Sequence, residues 1–519
     1  MSVVKTYLIR QEYRDSVQLM RAASAASKLE GISITSVLMG TPNNKPLLEE
    51  VDLLTQEAIE AGANDIIIVV RAESENFAED GIQFIIDYLS KTVQTAHDST
   101  LLYRSIRGAK SGFPDSNLAL ISVPGEYAAR DSHLALMNNL NVLLFSDNVA
   151  IEDELRLKTE AHKKGLLLMG PDCGTAMIKN VGLGFANVVN PGPVGIIAAS
   201  GTGTQEVMTL CHHLGMGITH AIGTGSRDVK DVIGGITMID GLHALERDPS
   251  TELIILISKP PEEKTMVKIL AEIKKSTKPV IINFLGKTAG YCDVSGKTVT
   301  VNTLEEAAYT AANYTKTGKL ELTSILFDKE EEVGNIHLMV KKQLISAQRY
   351  IRGLYAGGTF TFETAQIIRD LLPSKENIHT NVHLSGTQFI KDAKKSIEHT
   401  LIDMGDDEFT VGKPHPMIDQ SERTKRFLEE IRDPETAVIL LDFVLGYGSH
   451  LDPVGDMHDA FREWQSKETY IPIIAHVCGT PLDPQDYSKS LELLETYGII
   501  VMPTNAQAAK LATMIVNGK

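Results

Sequence analysis

Two segments with nearly the same residues decide the fold: AASGTGTQE at residues 198–206 and YAGGTFTFE at residues 355–363. Each follows an apolar run typical of a buried strand and precedes a pattern typical of a helix. Glycine permits close approach of the backbone in such a turn, and serine or threonine can cap the helix that follows. The free N–H groups of a first helical turn favour phosphate or carboxylate. The sequence therefore predicts two strand–turn–helix units, each able to bind an anion.

The predicted anion-binding residues come from both turns. They are Ser200, Gly201, Thr202, Gly203 and Thr204 in the first turn and Gly357, Gly358 and Thr359 in the second. A purely structural turn has the same composition, so for either turn alone the two interpretations carry equal weight. The repetition favours an anion at or between the two helix N-termini. We expect these helices to begin near Gln205 and Phe362, with Thr202 and Thr359 in equivalent turns before them.

The similarity between the two copies extends well beyond the turns. Met238-Ile239-Asp240 matches Met417-Ile418-Asp419, and VNTLEEAAYTAA at 301–312 resembles MPTNAQAAKLAT at 502–513, with further matches between them in the same order. Residues 373–396 have no counterpart in the first copy, so an insertion is expected there. Ordered matches of this kind indicate an internal duplication.

Composition limits the classes of function. A chain of 519 residues predicts several domains, and strands alternating with helices predict an α/β protein with parallel sheets. The net charge of −17, without a basic tract, argues against nucleic-acid and membrane partners and favours small anionic ligands held by local groups. Four scattered cysteines form neither a disulfide framework nor a metal site, which suits the cytoplasm.

Two further regions carry candidate site residues. In MGDDEFTVGKPHPMID, Lys413 is predicted to neutralise an anion and His415 to pass a proton to a leaving group, while nearby Asp406 and Asp407 are residues of the type that binds Mg²⁺. Arg227 is a candidate carboxylate clamp in the corresponding region of the first copy. For the segment with Lys413 and His415, a rigid surface loop without a catalytic role is the alternative.

The motifs of the duplicated region resemble a known family. SGTGTQE, GTGSRD and KPVIINFLGKTAG resemble the ligase domain of the succinyl-CoA synthetase α subunit, MGPDCGTA resembles the end of its CoA-binding domain, and 355–513 resembles the carboxyl domain of the β subunit. In that synthetase, two helices point their N-termini at a phosphate. Glu206 matches the glutamate that meets the phosphohistidine loop there, so the resemblance implies a catalytic role for Glu206; a first-turn glutamate that favours the helix dipole is the alternative.

The resemblance implies an α/β fold of four domains. These are a small N-terminal α/β domain at 1–112, a Rossmann-like domain of the CoA-binding type at 113–190, and two flavodoxin-like ligase-type domains at 191–320 and 345–519.

Motifs along nearly the whole chain are similar to those of the FdrA proteins. They include SVPGEYAA, NVLLFSDNV, GLLLMGPDCGTAMI, GLYAGGTF, VGKPHPMID and LGYGSHLDP, in the same order. This resemblance implies a subunit of a carbamoyltransferase that converts oxalurate and phosphate to oxamate and carbamoyl phosphate in anaerobic allantoin use, in a hetero-oligomer with two partner subunits encoded nearby. The alternatives are an acyl-CoA synthetase that needs CoA and a nucleotide, and a scaffold without catalytic activity.

The sequence departs from the synthetase pattern in two places. The synthetase carries a phosphorylated histidine in a segment that corresponds to 286–299 here, and this stretch contains no histidine. The loop SVPGEYAARD has a single glycine, Gly125, where the first CoA-contacting loop is glycine-rich, which argues against CoA as a cofactor. Both departures favour transfer to phosphate as a substrate, without a phosphohistidine or a thioester.

Overall fold

The computed structural model describes residues 2–12, 14, 16–41, 44–94, 103–286, 296–372, 378–410 and 413–517. The chain forms two compact units, which are described separately. Unit 1 contains residues 1–102 and 405–422, and unit 2 contains residues 103–404 and 423–519. No helix in these described ranges is long and apolar enough to cross a membrane. The four predicted domain limits stay predictions.

Unit 1 begins with a three-stranded sheet and its helices. In chain order the elements are β1 Val3–Ile9, α1 Ser16–Ala26, β2 Ile32–Met39, α2 Lys45–Glu50, α3 Gln56–Glu60, β3 Ile66–Ala72 and α4 Glu75–Gln94. The sheet order is β1-β3-β2, and β3 pairs antiparallel with both neighbours.

The prediction of a parallel sheet is therefore wrong for this domain. Strand β3 has the continuous apolar sequence of a parallel central strand because both of its faces are covered. Ile66, Ile68 and Val70 face one apolar cluster, and Ile67 and Val69 face another. The alternation of polar and apolar residues that marks an antiparallel strand is thus lost.

Unit 2 begins with the Rossmann-like domain. Its elements are α5 Ile106–Gly112, β4 Leu118–Ile121, α6 Gly125–Met137, β5 Asn141–Leu144, α7 Ile151–Lys164 and β6 Leu168–Met169. The three strands are parallel, in the order β4-β5-β6.

The first ligase-type copy contains a seven-stranded sheet. Its elements are β7 Thr175–Ile178, β8 Val181–Gly184, β9 Val194–Ala198, α8 Gly201–His213, β10 Ile218–Gly223, α9 Ile236–Arg247, β11 Leu253–Ser258, α10 Glu263–Ile273, β12 Val280–Phe284, β13 Thr298–Thr300 and α11 Leu304–Thr317. The order is β13-β12-β11-β9-β10-β7-β8, with β7 and β8 antiparallel at one edge of an otherwise parallel sheet.

The second copy follows the linker helix α12. The elements are α12 Glu330–Gln343, β14 Tyr350–Tyr355, α13 Gly358–Leu371, β15 Ile378–Thr380, β16 Gln388–Phe389, β17 His399–Asp403, α14 Asp407–Thr410, α15 Ser421–Glu430, β18 Thr436–Val444, a 3₁₀ helix Gly455–Met457, α16 His458–Gln465, β19 Ile473–Cys478, α17 Tyr487–Tyr497, β20 Ile500–Met502 and α18 Asn505–Val516. Its seven strands are parallel, in the order β16-β15-β17-β14-β18-β19-β20.

The strand orders support the predicted duplication. The succession β13-β12-β11-β9-β10 in the first sheet corresponds, strand by strand, to β20-β19-β18-β14-β17 in the second. Strands β15 and β16 lie in the segment for which an insertion was predicted. Corresponding helices also begin alike, because Thr303 caps α11 and Thr504 caps α18 through their side chains.

The helices at the twin turns begin earlier than the sequence predicted. Helix α8 begins at Gly201 and α13 at Gly358, so the expected starts near Gln205 and Phe362 are wrong. Thr202 and Thr359 are each the second residue of a helix and do not lie in the turn before it, contrary to expectation. Their positions are nevertheless equivalent in the two copies.

Candidate anion-binding site at paired helix N-termini

The first helix end lies at the carboxyl end of β9. Ser200 caps α8, and its hydroxyl accepts a hydrogen bond from the Gly203 N–H at 3.0 Å. The Thr204 hydroxyl donates to the Ser200 carbonyl at 2.5 Å, so Gly203 and Thr204 mainly stabilise the turn. Within the described ranges, the N–H groups of Gly201 and Thr202 have no acceptor, and Gly201 is exposed. These two amides are suited to an anion.

The second helix end lies at the carboxyl end of β14. Gly357 precedes α13 and provides no side-chain cap. Gly358 is half-buried, and a Cβ atom built on it would lie 2.6 Å from Oδ2 of Asp403 on β17. A carboxylate of the protein itself therefore lies beside this helix end and offsets its partial positive charge.

The two helix ends touch each other. The hydroxyl oxygens of Ser200 and Thr359 lie 2.6 Å apart. A Cβ atom on Gly357 would lie 2.6 Å from Cγ2 of Thr202. Each threonine thus contacts the residue that precedes the other helix. These contacts fill the space between the helix ends, so an anion would bind on their open side, at Gly201.

Glu206 and Glu363 form a crossed pair of contacts between the copies. Glu363 Oε1 accepts from the Leu304 N–H at 2.7 Å, at the start of α11 in the first copy. Glu206 Oε1 accepts from the Asn505 N–H at 3.4 Å, at the corresponding position of α18 in the second copy. Each glutamate therefore meets the N-terminus of the last helix of the other copy, where a carboxylate is favourable.

Glu206 has a second partner that the sequence analysis missed. His476 on β19 lies 2.6 Å from Glu206 Oε2, measured from its Nε2 atom, and Glu206 is only 1% exposed. Burial lowers the pKa of His476, but the carboxylate of Glu206 outweighs this effect and the pKa is raised overall. The catalytic role predicted for Glu206 stays a prediction, and the structure places this residue in a buried ion pair.

Glu363 lies in a different electrostatic setting. Asn505 Nδ2 donates to its Oε2 at 2.7 Å, and no cation pairs with Glu363 among the residues that the structure describes. Burial, with smaller contributions from Glu206 and Glu305, raises the pKa of Glu363 to about 7.

A buried ion pair lies behind the second helix end and was also missed. Asp442 on β18 accepts from the Ala356 N–H at 2.9 Å and from Arg423 at 2.9 Å, and burial raises its pKa. The signal in the sequence is an acidic residue inside the apolar strand AVILLDFV. In the first copy the corresponding Ala199 N–H instead donates to the backbone carbonyl of Ile257.

Arg227 contacts a carboxylate, but one that belongs to the protein. Its Nε lies 2.8 Å from Glu154 Oε2 on α7, and its NH2 group donates to the carbonyl of Val149. Lys158, also on α7, lies 2.9 Å from Glu154 and 2.7 Å from Asp228. In the structure Arg227 thus joins the Rossmann-like domain to the first ligase-type copy.

Lys413 and His415 belong to unit 1, whereas the twin turns belong to unit 2. Lys413 is 45% exposed and lies 2.7 Å from Glu422. His415 is half-buried, and its Nδ1 accepts from the Met417 N–H at 3.2 Å, which leaves Nε2 to carry the proton of the neutral ring. Their predicted roles are not tested by this geometry.

The structure describes only part of the two segments that bear on cofactor binding, the loop around Gly125 and residues 286–299. Gly125 begins α6, and a Cβ atom there would lie 2.4 Å from the Asp147 carbonyl oxygen, so the backbone of this chain already approaches that glycine closely. Most of the segment without histidine, residues 287–295, lies outside the described residues. Within the described ranges, no group of three or more His, Cys, Asp or Glu side chains could hold a metal ion.

Three family models match parts of the chain. Residues 354–515 match CoA-ligase, residues 191–325 match the succinyl-CoA ligase like flavodoxin domain, and residues 1–101 match a model described as AllF, heavy metal-associated domain. The first two matches coincide with the two ligase-type copies. The two ligase-type copies are therefore α/β domains of the CoA-ligase and succinyl-CoA ligase like flavodoxin types.

One relative matches along almost the whole chain. The uncharacterized protein YahF of Escherichia coli K12 is 40% identical over 524 residues, which cover 98% of each chain, and this chain belongs to its family. The succinate–CoA ligase α subunit of Methanothermobacter thermautotrophicus is 26% identical over 34% of this chain and 59% of its own length. A dinucleotide-forming acetyl-coenzyme A synthetase of Ca. Korarchaeum cryptofilum is 16% identical over 80% of this chain and 85% of its own, at a TM-score of 0.30.

Proposed function

We propose that this chain is a subunit of the acid–thiol ligase type that holds phosphate, or a small carboxylate, at the N-terminus of α8 during acyl transfer. The observation that carries the proposal is the pair of amides at exposed Gly201 and half-buried Thr202, which have no acceptor within the described ranges, beside a second helix end that is compensated by Asp403. The similarity to CoA-ligase and succinyl-CoA ligase domains supports this class of reaction.

The site would act by orienting the anion and by stabilising charge. A phosphate oxygen would attack the acyl carbon, and the bond from this carbon to the leaving group would break. Backbone N–H groups that already point at the anion need no rearrangement as negative charge develops. Because the chain contains no GxxxxGK[ST] motif, a nucleotide-dependent reaction would use a nucleotide site on a partner chain.

Carbamoyl transfer is the second candidate within this class. Phosphate would attack the carbamoyl carbon of oxalurate, the carbon–nitrogen bond would break, and the leaving nitrogen of oxamate would take up a proton. Two observations favour it over a thioester reaction: the absence of histidine from residues 286–299 and the close packing of the chain's own backbone around Gly125. The similarity to FdrA proteins motivates this candidate, with His415 as the predicted proton donor, Lys413 as the predicted anion partner, two partner subunits and a cytoplasmic location.

Activity assays distinguish the two candidates. The chain is assayed alone and with its neighbouring gene products, once with oxalurate and phosphate and once with succinate, CoA and ATP. Formation of carbamoyl phosphate supports the second candidate, and formation of a thioester supports the first. No product in either assay, together with no phosphate binding in calorimetry, would contradict the proposal.

The glycine at the start of α8 provides a sharper test. A Cβ atom on Gly201 would meet only Thr175 Oγ1, at 3.4 Å, so Gly201→Val should leave the fold intact while it blocks the approach of an anion to the amides. Gly334→Val on α12 is the matched control, because no atom lies within 4 Å of a Cβ atom there. Loss of phosphate binding in Gly201→Val alone is expected. Equal binding in both variants would place the anion elsewhere.

A further inference from the structure

The segment that follows β10 in the first ligase-type copy and the segment that follows β17 in the second are each held by a separate small domain. In the first copy this segment includes Met238-Ile239-Asp240, and Asp240 Oδ1 lies 2.7 Å from His162 Nδ1 on α7 of the Rossmann-like domain. The ion pairs of Arg227 and Asp228 with residues of α7 strengthen the same contact.

The corresponding segment of the second copy meets the N-terminal domain. Residues 405–422 and 1–102 form one compact unit. The Ser24 hydroxyl on α1 donates to Asp419 Oδ2, and Asp419 is only 8% exposed. Met417 and Ile418 beside it are buried. Asp419 matches Asp240 in the sequences of the two copies, although Asp240 lies inside α9 and Asp419 lies two residues before α15. Both aspartates bind a helix of an accessory domain.

The Asp419 carboxylate is stabilised in its charged form. Burial alone would raise its pKa, but hydrogen bonds from Ser24 and Ser421 outweigh burial and hold the pKa below its ordinary value, with a smaller contribution from Lys28. A buried acceptor that is charged makes a stronger hydrogen bond than a neutral one. This contact therefore fixes the segment against α1.

The N-terminal domain does not fit the metal that its family description implies. Heavy metals of the soft type bind thiolate and imidazole groups. Residues 1–101 contain no cysteine, since the four cysteines are at 173, 211, 292 and 478, and their single histidine, His97, lies outside the described residues. The loop between β1 and α1 contains Arg10 and Arg14, and Arg10 lies 2.6 Å from Asp65. The loop also contains Glu12 and Asp15, and Glu12 pairs with Arg14, so the loop has no net charge and offers neither a thiolate nor an imidazole to a soft metal.

We infer that the N-terminal domain is a positioning domain for residues 405–422, the counterpart of the Rossmann-like domain that holds the corresponding segment of the first copy, and that it is not a metal carrier. Lys413 and His415 lie in the segment that it holds. The role is independent of the reaction that the chain catalyses, because it concerns the conformation of the segment.

Hydrogen–deuterium exchange of the full chain tests the positioning role. Asp419→Ala and Ser24→Ala should each raise the exchange rates of peptides within 405–422 and 16–26 about tenfold, because a buried hydrogen bond to a charged group is lost. Asp240→Ala is the matched control, and should raise exchange within 236–247 without affecting 405–422. Ser24→Ala removes only the contact with α1, because it leaves the hydrogen bond from Ser421 to Asp419 in place. Unchanged exchange within 405–422 in both variants would overturn the inference.

The same measurement tests whether the N-terminal domain binds a metal ion. Zn²⁺ and Cu⁺ are added separately to the full chain, and exchange within residues 1–101 is compared with and without metal. No protection is expected in this region. Protection of these residues by one equivalent of either metal would show that the domain is a metal carrier and would overturn that part of the inference.

Discussion

The N-terminal ends of α8 and α13 have the same backbone arrangement but different surroundings. Next to the first, Ala198 pairs with Gly223 on β10; next to the second, Tyr355 pairs with Asp403 on β17. The glycine places no side chain at the first helix end, where Gly201 is exposed, whereas the aspartate places a carboxylate beside Gly358, which is half-buried. The duplicated fold thus retains two helix ends that differ in exposure and in neighbouring charge.

The same difference continues into the interior of the two sheets. Ile257 pairs with Asn283 in the first copy, and in the second the corresponding strands pair Asp442 with His476. The second copy has therefore acquired buried charged groups, which hold its turn and bind Glu206 of the first copy. We infer that the second copy supports the site and the first copy presents it.

The largest expected effect comes from breaking the ion pair that only the second copy has. Arg423→Met removes the cation beside Asp442 and leaves a buried carboxylate without a counter-charge. We expect the free energy of unfolding to fall by about 3–5 kcal/mol, measured by urea denaturation at pH 7.

Ile257, the residue of the first copy that corresponds to Asp442, provides the control for this experiment. The double variant Arg423→Met, Asp442→Ile removes both charges and gives the second copy the residue that the first has at this position. Most of the lost stability should return, because no charge remains buried. A single variant as stable as the wild type would show that Asp442 is neutral in the folded protein.

The second prediction uses the crossed glutamates. The pKa of Glu363 is raised to about 7 by burial, above the value of 4.5 for an ordinary glutamate, so its contribution to stability is fully present below pH 4.5 and is lost as the pH rises through 7. Glu363→Gln removes this dependence. Between pH 4.5 and pH 8, the free energy of unfolding of the wild type should therefore fall by on the order of 3 kcal/mol more than that of the variant. Glu331→Gln, at an exposed position, should follow the wild-type curve.

Much of the fold could be predicted from the sequence because its signals are local. The apolar strands, the small-residue turns and the repeated order of motifs lie within short stretches, and each indicates a strand–turn–helix unit. The antiparallel sheet of unit 1 could not be predicted in this way, because β3 is covered on both faces and has the sequence of a parallel strand.

The site could be predicted only in part because its contacts join distant residues. Ser200 and Thr359 are 159 positions apart, and Glu206 and His476 are 270 positions apart. Sequence reasoning placed Ser200 and Gly201 in a turn between a strand and a helix, but it expected the helix to begin near Gln205, four residues later than it does. It could not show that Thr359 closes the space between the helices or that Asp403 lies beside one of them.

The third prediction compares the two glycines at the helix starts. Of the two positions, only Gly201 has room for a valine side chain. Gly358→Val brings its Cβ atom to 2.6 Å from Asp403 Oδ2 and should lower the free energy of unfolding by about 1–2 kcal/mol, as overpacking does. The free energy of unfolding of Gly201→Val should stay close to that of the wild type in the same urea titration. Equal losses in the two variants would mean that the two helix ends have the same surroundings.

The smallest expected effect comes from removing the charge that distinguishes the two ends. Asp403→Asn keeps the size of the side chain and both hydrogen bonds of the Asp403 backbone to Asn381, but removes the negative charge beside Gly358. A carboxylate at a helix N-terminus contributes about 0.3–1 kcal/mol. Its removal should therefore strengthen phosphate binding, measured by calorimetry at low salt, about two- to fivefold. Asp392→Asn is the matched control, because it removes the same charge from an exposed position that pairs with Lys395. The gain should appear in Asp403→Asn alone, because this carboxylate lies beside Gly358 at the start of α13, whereas Asp392 is already paired with Lys395. An equal gain in both variants would mean that the net charge of the chain, and not the carboxylate at α13, restrains anion binding at the paired helix ends.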